Sequence, residues 1–259
     1  MTRIYAIVNQ KGGVGKTTSV INLSAFLAAS GRRVLLVDLD PQANATSGLG
    51  FDKYQMIPSS YELLLEDAKL DDIILRNDEF KLDILPSRPA LAGAEVELVN
   101  AIGREYRLKQ ALESTNGRYD YILIDCPPSL SLLTVNALTA ASSGILIPVQ
   151  CEYLALEGLT QLMQTIELVK QYLNPTLGIR GLIMTMYDGR TNLSRQVVEE
   201  VRGYFPGKVF RTIIPRNVRL SEAPSFGQPI STYAPTSPGG IAYKVLTAEL
   251  VKGDQTKGK

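Results

Sequence analysis

The sequence predicts an α/β fold: a single doubly wound, mainly parallel sheet with helices on both faces. Three observations predict it. Short apolar runs recur at 4–8, 34–38 and 119–125, as strands buried on both faces do. Stretches of helical spacing follow them in alternation, the pattern of a parallel sheet. Gly12, Gly13 and Gly15 join the first apolar run to the first helical stretch, so the chain turns from strand to helix through a glycine loop.

At 259 residues, 45% of them apolar, one domain with its own core is enough. We assign it to residues 1–252, with 253–259 as a polar tail expected to be disordered. The net charge is +1 and by itself says nothing about partners. No apolar run approaches the ~18 residues of a membrane span. Met1-Thr2-Arg3 leads straight into a strand, with no room for a signal peptide. Two cysteines far apart, Cys126 and Cys151, fit a reducing cytosol and read as buried structural thiols. The absence of histidine excludes Ser-His-Asp catalysis, a histidine base and histidine metal ligands.

In order, 4–8 reads as a strand and 20–30 as a helix, with Val20, Ile21, Leu23, Phe26 and Leu27 at helical spacing. A second strand, 34–38, ends in acids. Residues 44–50 have loop composition, and 52–84 are the least legible part. Within it, 58–67 suggests a short helix with Ser59 or Ser60 near its start, 71–83 reads as acidic surface, and 82–86 as a short strand. Helical spacing returns at 91–100 and 104–113, followed by the strand 119–125 and a helix at 130–141. The strand 145–149 contains Pro148, which points to an edge or an irregularity. Then come a helix at 154–173 stopped by Asn174-Pro175, a strand at 179–186, and an amphipathic helix at 192–204 with Leu193, Val197, Val198 and Val201 near one face. A strand at 208–214, a loop at 235–240 and a helix at 241–251 complete the chain.

The chemistry concentrates in Gln10-Lys11-Gly12-Gly13-Val14-Gly15-Lys16-Thr17-Thr18. Three glycines let several backbone N–H groups converge on one centre, and a helix N-terminus adds its positive end. A polyphosphate fits that centre, with Lys16 reaching its β- and γ-phosphates and the Thr17 hydroxyl ligating Mg²⁺. Strand-end acids of such sheets lie beside this loop, which places Asp38 and Asp40 there. Asp before Pro41 is also a common turn start, and the sequence does not separate these two readings. Asp125 closes the third apolar run and is suited to hold Mg²⁺ through water. In-line attack of water on a γ-phosphate needs positioning and charge neutralisation more than a strong base, so the lack of histidine is no handicap.

The loop departs from G-x-x-x-x-G-K-[ST]: Gln10 takes the first glycine position, and an extra lysine, Lys11, precedes Gly12. In this it resembles the deviant Walker A motif of the ParA/MinD ATPases, a family of P-loop NTPases. Val37-Asp38-Leu39-Asp40-Pro41-Gln42 and Ile122-Leu123-Ile124-Asp125-Cys126-Pro127-Pro128-Ser129 resemble that family's next two motifs. Pro215-Arg216-Asn217-Val218-Arg219-Leu220-Ser221-Glu222-Ala223-Pro224 resembles its chromosomal ParA (Soj) branch. The resemblance spans residues 3–250.

The resemblance implies slow, Mg²⁺-dependent hydrolysis of ATP. Gly12, Gly13, Val14, Gly15, Lys16, Thr17 and Thr18 would cradle the phosphates, Asp40 would orient the attacking water, and Asp38 would lie near the metal with Thr17 and Asp125. Backbone around Pro215 and the Asn217 amide would read adenine. Lys11 would cross to the nucleotide of a second subunit, so that ATP makes a homodimer and hydrolysis releases it; a second same-chain phosphate ligand is the other reading of this lysine.

Residues 180–219 hold eight basic and three acidic residues, net +5 against +1 for the chain. Such a region suits sequence-independent binding to a phosphate backbone or is a solvated face. The resemblance favours non-specific double-stranded DNA, with Arg190 first, then Arg219, Arg195 and Arg202. It also implies a ParB-type centromere-binding partner that stimulates hydrolysis, a cytoplasmic, nucleoid-associated location, and a role in chromosome or plasmid partition. A MinD-like membrane ATPase for division-site placement is the alternative; it should end in an amphipathic membrane helix, and the last eight residues here carry no large apolar side chain. An iron–sulfur reductase would need cysteine ligands in glycine-rich surroundings, and a tyrosine autokinase a tyrosine-rich tail; neither is visible.

Overall fold

In a computed structural model of the chain, residues 2–65, 68–115, 117–153 and 157–256 are described. Seven strands form one sheet in the order β3-β4-β2-β5-β1-β6-β7: β1 (Arg3–Ile7), β2 (Val34–Asp38), β3 (Leu75–Asn77), β4 (Leu82–Leu85), β5 (Tyr121–Asp125), β6 (Gly144–Gln150) and β7 (Ile179–Thr185). All neighbours pair in parallel except β3 with β4.

The apolar runs divide between two cores by strict alternation, because successive side chains of a strand face opposite ways. Ala6, Val8, Leu35, Val37, Ile122, Ile124, Ile145 and Ile147 fill one face. It is covered by α3 (Ser60–Leu65), α4 (Leu70–Ile73), α5 (Leu91–Glu97), α6 (Arg107–Glu113), α7 (Leu132–Ala140), α8 (Glu157–Tyr172) and α9 (Asn192–Tyr204). Tyr5, Ile7, Val34, Leu36, Tyr121, Leu123 and Ile183 fill the other, under α1 (Lys16–Ala29), α2 (Asn44–Gly48), α10 (Val218–Glu222), α11 (Ile230–Tyr233) and α12 (Pro238–Thr256). The doubly wound expectation is met.

Local differences have physical causes. Residues 44–50 are not all loop: α2 forms because Asp38 accepts the Thr46 amide at 2.8 Å. The acidic stretch 71–83 contains α4, the antiparallel edge strand β3 and the buried Phe80. The short helix at α3 opens on Ser59 as expected, in a capping box: the Ser59 amide and hydroxyl both donate to Glu62 at 2.8 Å. Pro148 lies inside the sheet rather than at an edge, and the irregularity expected there is a register shift of β6 against β7 at Ile145/Leu146. β1 pairs with β6 only as far as Leu146, so the missing N–H of Pro148 removes no ladder bond, and its carbonyl accepts Asn9 at 2.7 Å. Of the expected helix 154–173, residues 154–156 lie outside the described residues. On α9, Leu193 is exposed and Ser194 is buried in its place.

The strand expected at 208–214 is reduced to one isolated bridge, Val209 with Leu182, followed by another at Pro215 with Tyr187. The Lys208 carbonyl and Phe210 amide pair with Leu182, but the amides of Arg211 and Thr212 turn away to the Glu249 carboxylate at 2.8 and 3.0 Å. The tail also needs correction. α12 runs to Thr256, so residues 253–256 belong to the folded chain. Asp254 is buried and accepts the hydroxyls of Tyr5 and Tyr121, at 2.7 and 3.0 Å, and the Arg180 guanidinium at 2.9 Å. Residues 257–259 lie outside the described residues. Among the described residues no helix is long and apolar enough to cross a membrane.

Candidate active site

The glycine loop leaves β1 and enters α1. Gly13 and Gly15 stand at φ +74° and +89°, a region closed to most side chains, and the loop's backbone is held from three sides. The Thr185 hydroxyl at the end of β7 donates to the Val14 carbonyl at 2.9 Å. Asn9, buried, accepts the Lys11 amide at 3.0 Å. Gln10 donates to the Gly158 carbonyl in the first turn of α8 at 2.7 Å. Lys11 itself is half-exposed, while Lys16 is buried and its ammonium donates to the Lys11 carbonyl at 3.1 Å. Burial pushes the Lys16 pKa down, and Asp125, Cys126 and Asp40 partly oppose that.

Asp38, Asp40 and Asp125 gather at the carboxyl ends of β2 and β5, where Asp38 and Asp125 are register partners. The first two lie beside the loop, Asp40 near Lys16 and Asp38 near Asp125, and both also fix turns. Asp38 accepts the Asp40 amide at 3.1 Å and both the amide and hydroxyl of Thr46 at 2.8 Å. Asp40 accepts the Gln42 amide at 2.9 Å. Burial raises the Asp38 pKa to about 6 despite the Thr46 and Asp40 bonds. Asp125 is driven well above the carboxylate range, first by burial and then by Asp38.

Asp125 differs from its neighbours in that both its carboxylate oxygens are buried with no hydrogen-bond partner of ordinary geometry, although the nearby Thr17 hydroxyl lowers its pKa somewhat. Orphaned buried carboxylate oxygens are costly unless a cation completes them. Thr17, Asp38 and Asp125 offer only hard oxygen donors. No protein-only metal cage of three or more ligands occurs among the described residues. The oxygen-only donor set suits Mg²⁺, which keeps water and phosphate oxygens in its shell.

A cavity of about 600 Å³ continues from the loop. Gly15, Thr17 and Thr18 form one end, Asn44, Ser47 and Tyr243 line its side, and Pro215, Arg216, Asn217 and Ser221 form the other. The Asn217 side chain caps α10 by accepting the Arg219 amide at 3.1 Å. Two non-glycine residues at positive φ, Ala43 and Met186, flank this region, and such strain concentrates at functional sites. Sequence reasoning missed Asn9, Thr46, Ser87, Thr185 and Tyr243, which carry no spacing signal of their own.

The basic candidates sit on three segments: Arg190 before α9, Arg195 and Arg202 on α9, and Arg219 on α10. Arg190, at the surface, is paired bidentately with Asp188 at 2.9 and 2.7 Å, which holds the Asp188 pKa below the usual carboxylate range. Arg219 pairs with Glu222 at 2.8 Å. Arg195 and Arg202 are exposed on one face of α9, with Glu199 between them. Arg180 is not part of this surface; it is turned inward to Asp254 and the Leu250 carbonyl.

A family model described as an AAA domain matches residues 2–179. The sporulation initiation inhibitor protein Soj of Bacillus subtilis is 58% identical over 96% of this chain and 98% of its own length. The chromosome partitioning protein ParA of Myxococcus xanthus is 56% identical over 98% and 90%. Among solved structures, cobyrinic acid a,c-diamide synthase of Mycobacterium smegmatis with bound ADP and magnesium superposes with a TM-score of 0.88 at 41% identity, covering 99% of this chain and 97% of that one. MinD of Pyrococcus horikoshii with Mg-ADP gives 0.78 at 30%, covering 97% of each. With its loop lysines, strand-end acids and nearly full-length similarity to these relatives, the chain belongs to the ParA/Soj family of chromosome-partitioning ATPases.

Proposed function

We propose that this chain is a Mg-ATP-driven dimerisation switch that binds double-stranded DNA without sequence preference and moves a chromosome or plasmid together with a ParB-type partner. The observation that carries the reading is the clustering of Lys16, Asp38, Asp40 and Asp125 beside Thr17, which itself lines a cavity that reaches Pro215 and Asn217. Gly12 to Thr18 cradle the phosphates. Lys16 binds the β- and γ-phosphates; its ammonium is already held within the loop by the Lys11 carbonyl at 3.1 Å. Thr17, Asp125 and Asp38 would hold Mg²⁺, which supplies charge neutralisation on the phosphates when bound. Asp40 orients the attacking water, and its second carboxylate oxygen, which accepts no hydrogen bond among the described residues, is free to do this. Pro215 backbone and the Asn217 amide read the adenine.

Lys11 is the residue that turns this chemistry into an assembly switch. Lys16 already serves the phosphates within the chain, and the half-exposed Lys11 side chain is available to the nucleotide of a second protomer. ATP then stabilises the dimer, and hydrolysis, accelerated by the partner protein, removes that stabilisation. Dimerisation doubles the basic surface of Arg190, Arg195, Arg202 and Arg219, and the protein associates with the nucleoid in its ATP state.

The test is binding to unrelated duplex DNA with ATP, ADP or no nucleotide, for wild type and Asp40→Ala at two salt concentrations. Tight binding only with ATP, strengthened in the variant and falling steeply with salt, is the expected result. No binding in any state, with ATP-dependent pelleting on anionic liposomes instead, would favour the MinD-like membrane reading.

A further inference from the structure

Asp38 and Asp40 are joined by a hydrogen-bonded ring whose other two members, Thr46 and Ser87, have no part in the proposed chemistry. The Asp40 amide donates to Asp38 Oδ1 at 3.1 Å. Asp38 Oδ2 accepts the Thr46 hydroxyl at 2.8 Å. The Thr46 hydroxyl oxygen in turn accepts the Ser87 amide at 2.9 Å, and the Ser87 hydroxyl donates to the Asp40 carbonyl at 2.8 Å. The ring closes on four residues, and Asp38, Thr46 and Ser87 are wholly buried. They come from three places in the chain: the end of β2, the middle of α2 and the segment after β4.

The Ser87 segment is itself anchored from outside. The Ser60 amide donates to the Pro86 carbonyl at 2.8 Å, and Arg88 pairs with the capping-box carboxylate of Glu62 at 2.5 Å. Ser87 therefore presents its amide and hydroxyl from a fixed support. The Asp40 carbonyl accepts two bonds, from Ser87 and from the Ala43 amide at 2.8 Å. Asp40 has its carbonyl, its amide and one carboxylate oxygen tied down, and its remaining carboxylate oxygen is the one left for a ligand.

We propose that Ser87 is a positioning residue for hydrolysis: through its hydroxyl on the Asp40 carbonyl, and through Thr46 on Asp38, it holds the Asp40 carboxylate in its reactive orientation. Supporting shells of this kind decide whether a reacting group sits in place or is slightly too loose, and small misplacements are costly to rate. The inference rests on the reading of Asp40 as the group that orients water.

The experiment measures single-turnover phosphate release from Mg-ATP, affinity for a non-hydrolysable ATP analogue, and thermal melting. It uses the full chain as wild type, Ser87→Ala, Ser87→Cys and Asp40→Ala. Ser87→Cys keeps the side-chain shape with a somewhat larger terminal atom and replaces the hydroxyl by a weak donor. Both Ser87 variants are expected to hydrolyse about five- to tenfold more slowly, the effect of one lost hydrogen bond, with analogue affinity within about twofold of wild type. Ser87→Cys is expected to melt close to wild type. Hydrolysis within about twofold of wild type in both Ser87 variants, with Asp40→Ala inactive, would overturn the role of Ser87 and leave that of Asp40 intact. Parallel losses of affinity, rate and melting temperature in Ser87→Cys would make the ring a structural brace only, and undiminished hydrolysis in Asp40→Ala would remove the reading beneath it.

Discussion

Asp254→Ala tests whether the last turn of the chain is part of the site's framework. The carboxylate is 1% exposed and accepts from Tyr5 on β1, Tyr121 on β5 and Arg180 on β7. Truncation leaves two buried hydroxyls without their acceptor and the Arg180 side chain, itself 11% exposed, with no carboxylate to offset its charge beside the Leu250 carbonyl and the Phe210 ring. Breaking a buried, hydrogen-bonded charge pair from one side costs about 3–5 kcal/mol. For a domain of this size that converts to a fall in melting temperature of about 6–20 °C. The consequence reaches the nucleotide because α12 packs on α1, and its Tyr243 both lines the cavity and meets the Ser19 hydroxyl at 3.0 Å. Urea unfolding with and without Mg-ATP is the assay. A loss under about 1 kcal/mol, the worth of a surface pair, would refute the argument that Asp254 locks α12 to the sheet.

Asp125→Asn should raise the melting temperature of the nucleotide-free protein, because burial and Asp38 disfavour its charge, while abolishing stabilisation by Mg-ATP; an unchanged thermal shift with Mg-ATP would exclude Asp125 from the metal site. Lys16→Ala should eliminate nucleotide binding by equilibrium titration, and retained ATP-dependent dimerisation in sedimentation would contradict its phosphate role. Asp188→Asn should release Arg190 from its bidentate pair and tighten DNA binding, whereas Arg190→Ala should weaken it and reduce the salt slope by about 1; equal affinities in both would move the DNA surface elsewhere. Tyr121 and Tyr243 are raised by burial to about 12, so the folded state binds more protons than the unfolded one above pH ~10 and stability must fall as pH rises from ~10 to ~12; tyrosinate absorbance that completes its titration near pH 10 without unfolding would refute those shifts.

The glycine loop, Lys16, Thr17 and the strand-end acids were legible because each is tied to a local pattern: a buried apolar run, then an acid or a glycine turn. The elements that escaped are those whose hydrogen bonds are long-range. Residues 44–50 have the composition of a loop, and helix α2 depends on Asp38, a side chain eight residues earlier. The stretch 208–214 has the pattern of an eighth strand but loses two amides to Glu249, which lies on α12. Gly253-Asp254 reads as the start of a polar tail because the partners of Asp254 lie 133 and 249 residues away at Tyr121 and Tyr5. Thr46 and Ser87 each look like any small polar residue; only the fold brings them to one ring.

The same logic changes the meaning of the basic region. Its charge, read along the chain, treats all eight cations alike, but folding sorts them. Arg180 is consumed inside by Asp254, and Arg190, Arg216 and Arg219 are each held by one acid. Exposed ion pairs of this kind are worth little, so they can be exchanged for phosphate contacts, whereas Arg180 cannot leave without unpinning α12. Arg216 and Arg219 also flank Asn217, whose side chain fixes the Arg219 amide while the residue lines the cavity. Under the proposed function, a base seated against Pro215 and Asn217 steadies the short turn that carries Arg219. Nucleotide and DNA would then be read by one segment, with no separate domain needed to connect them.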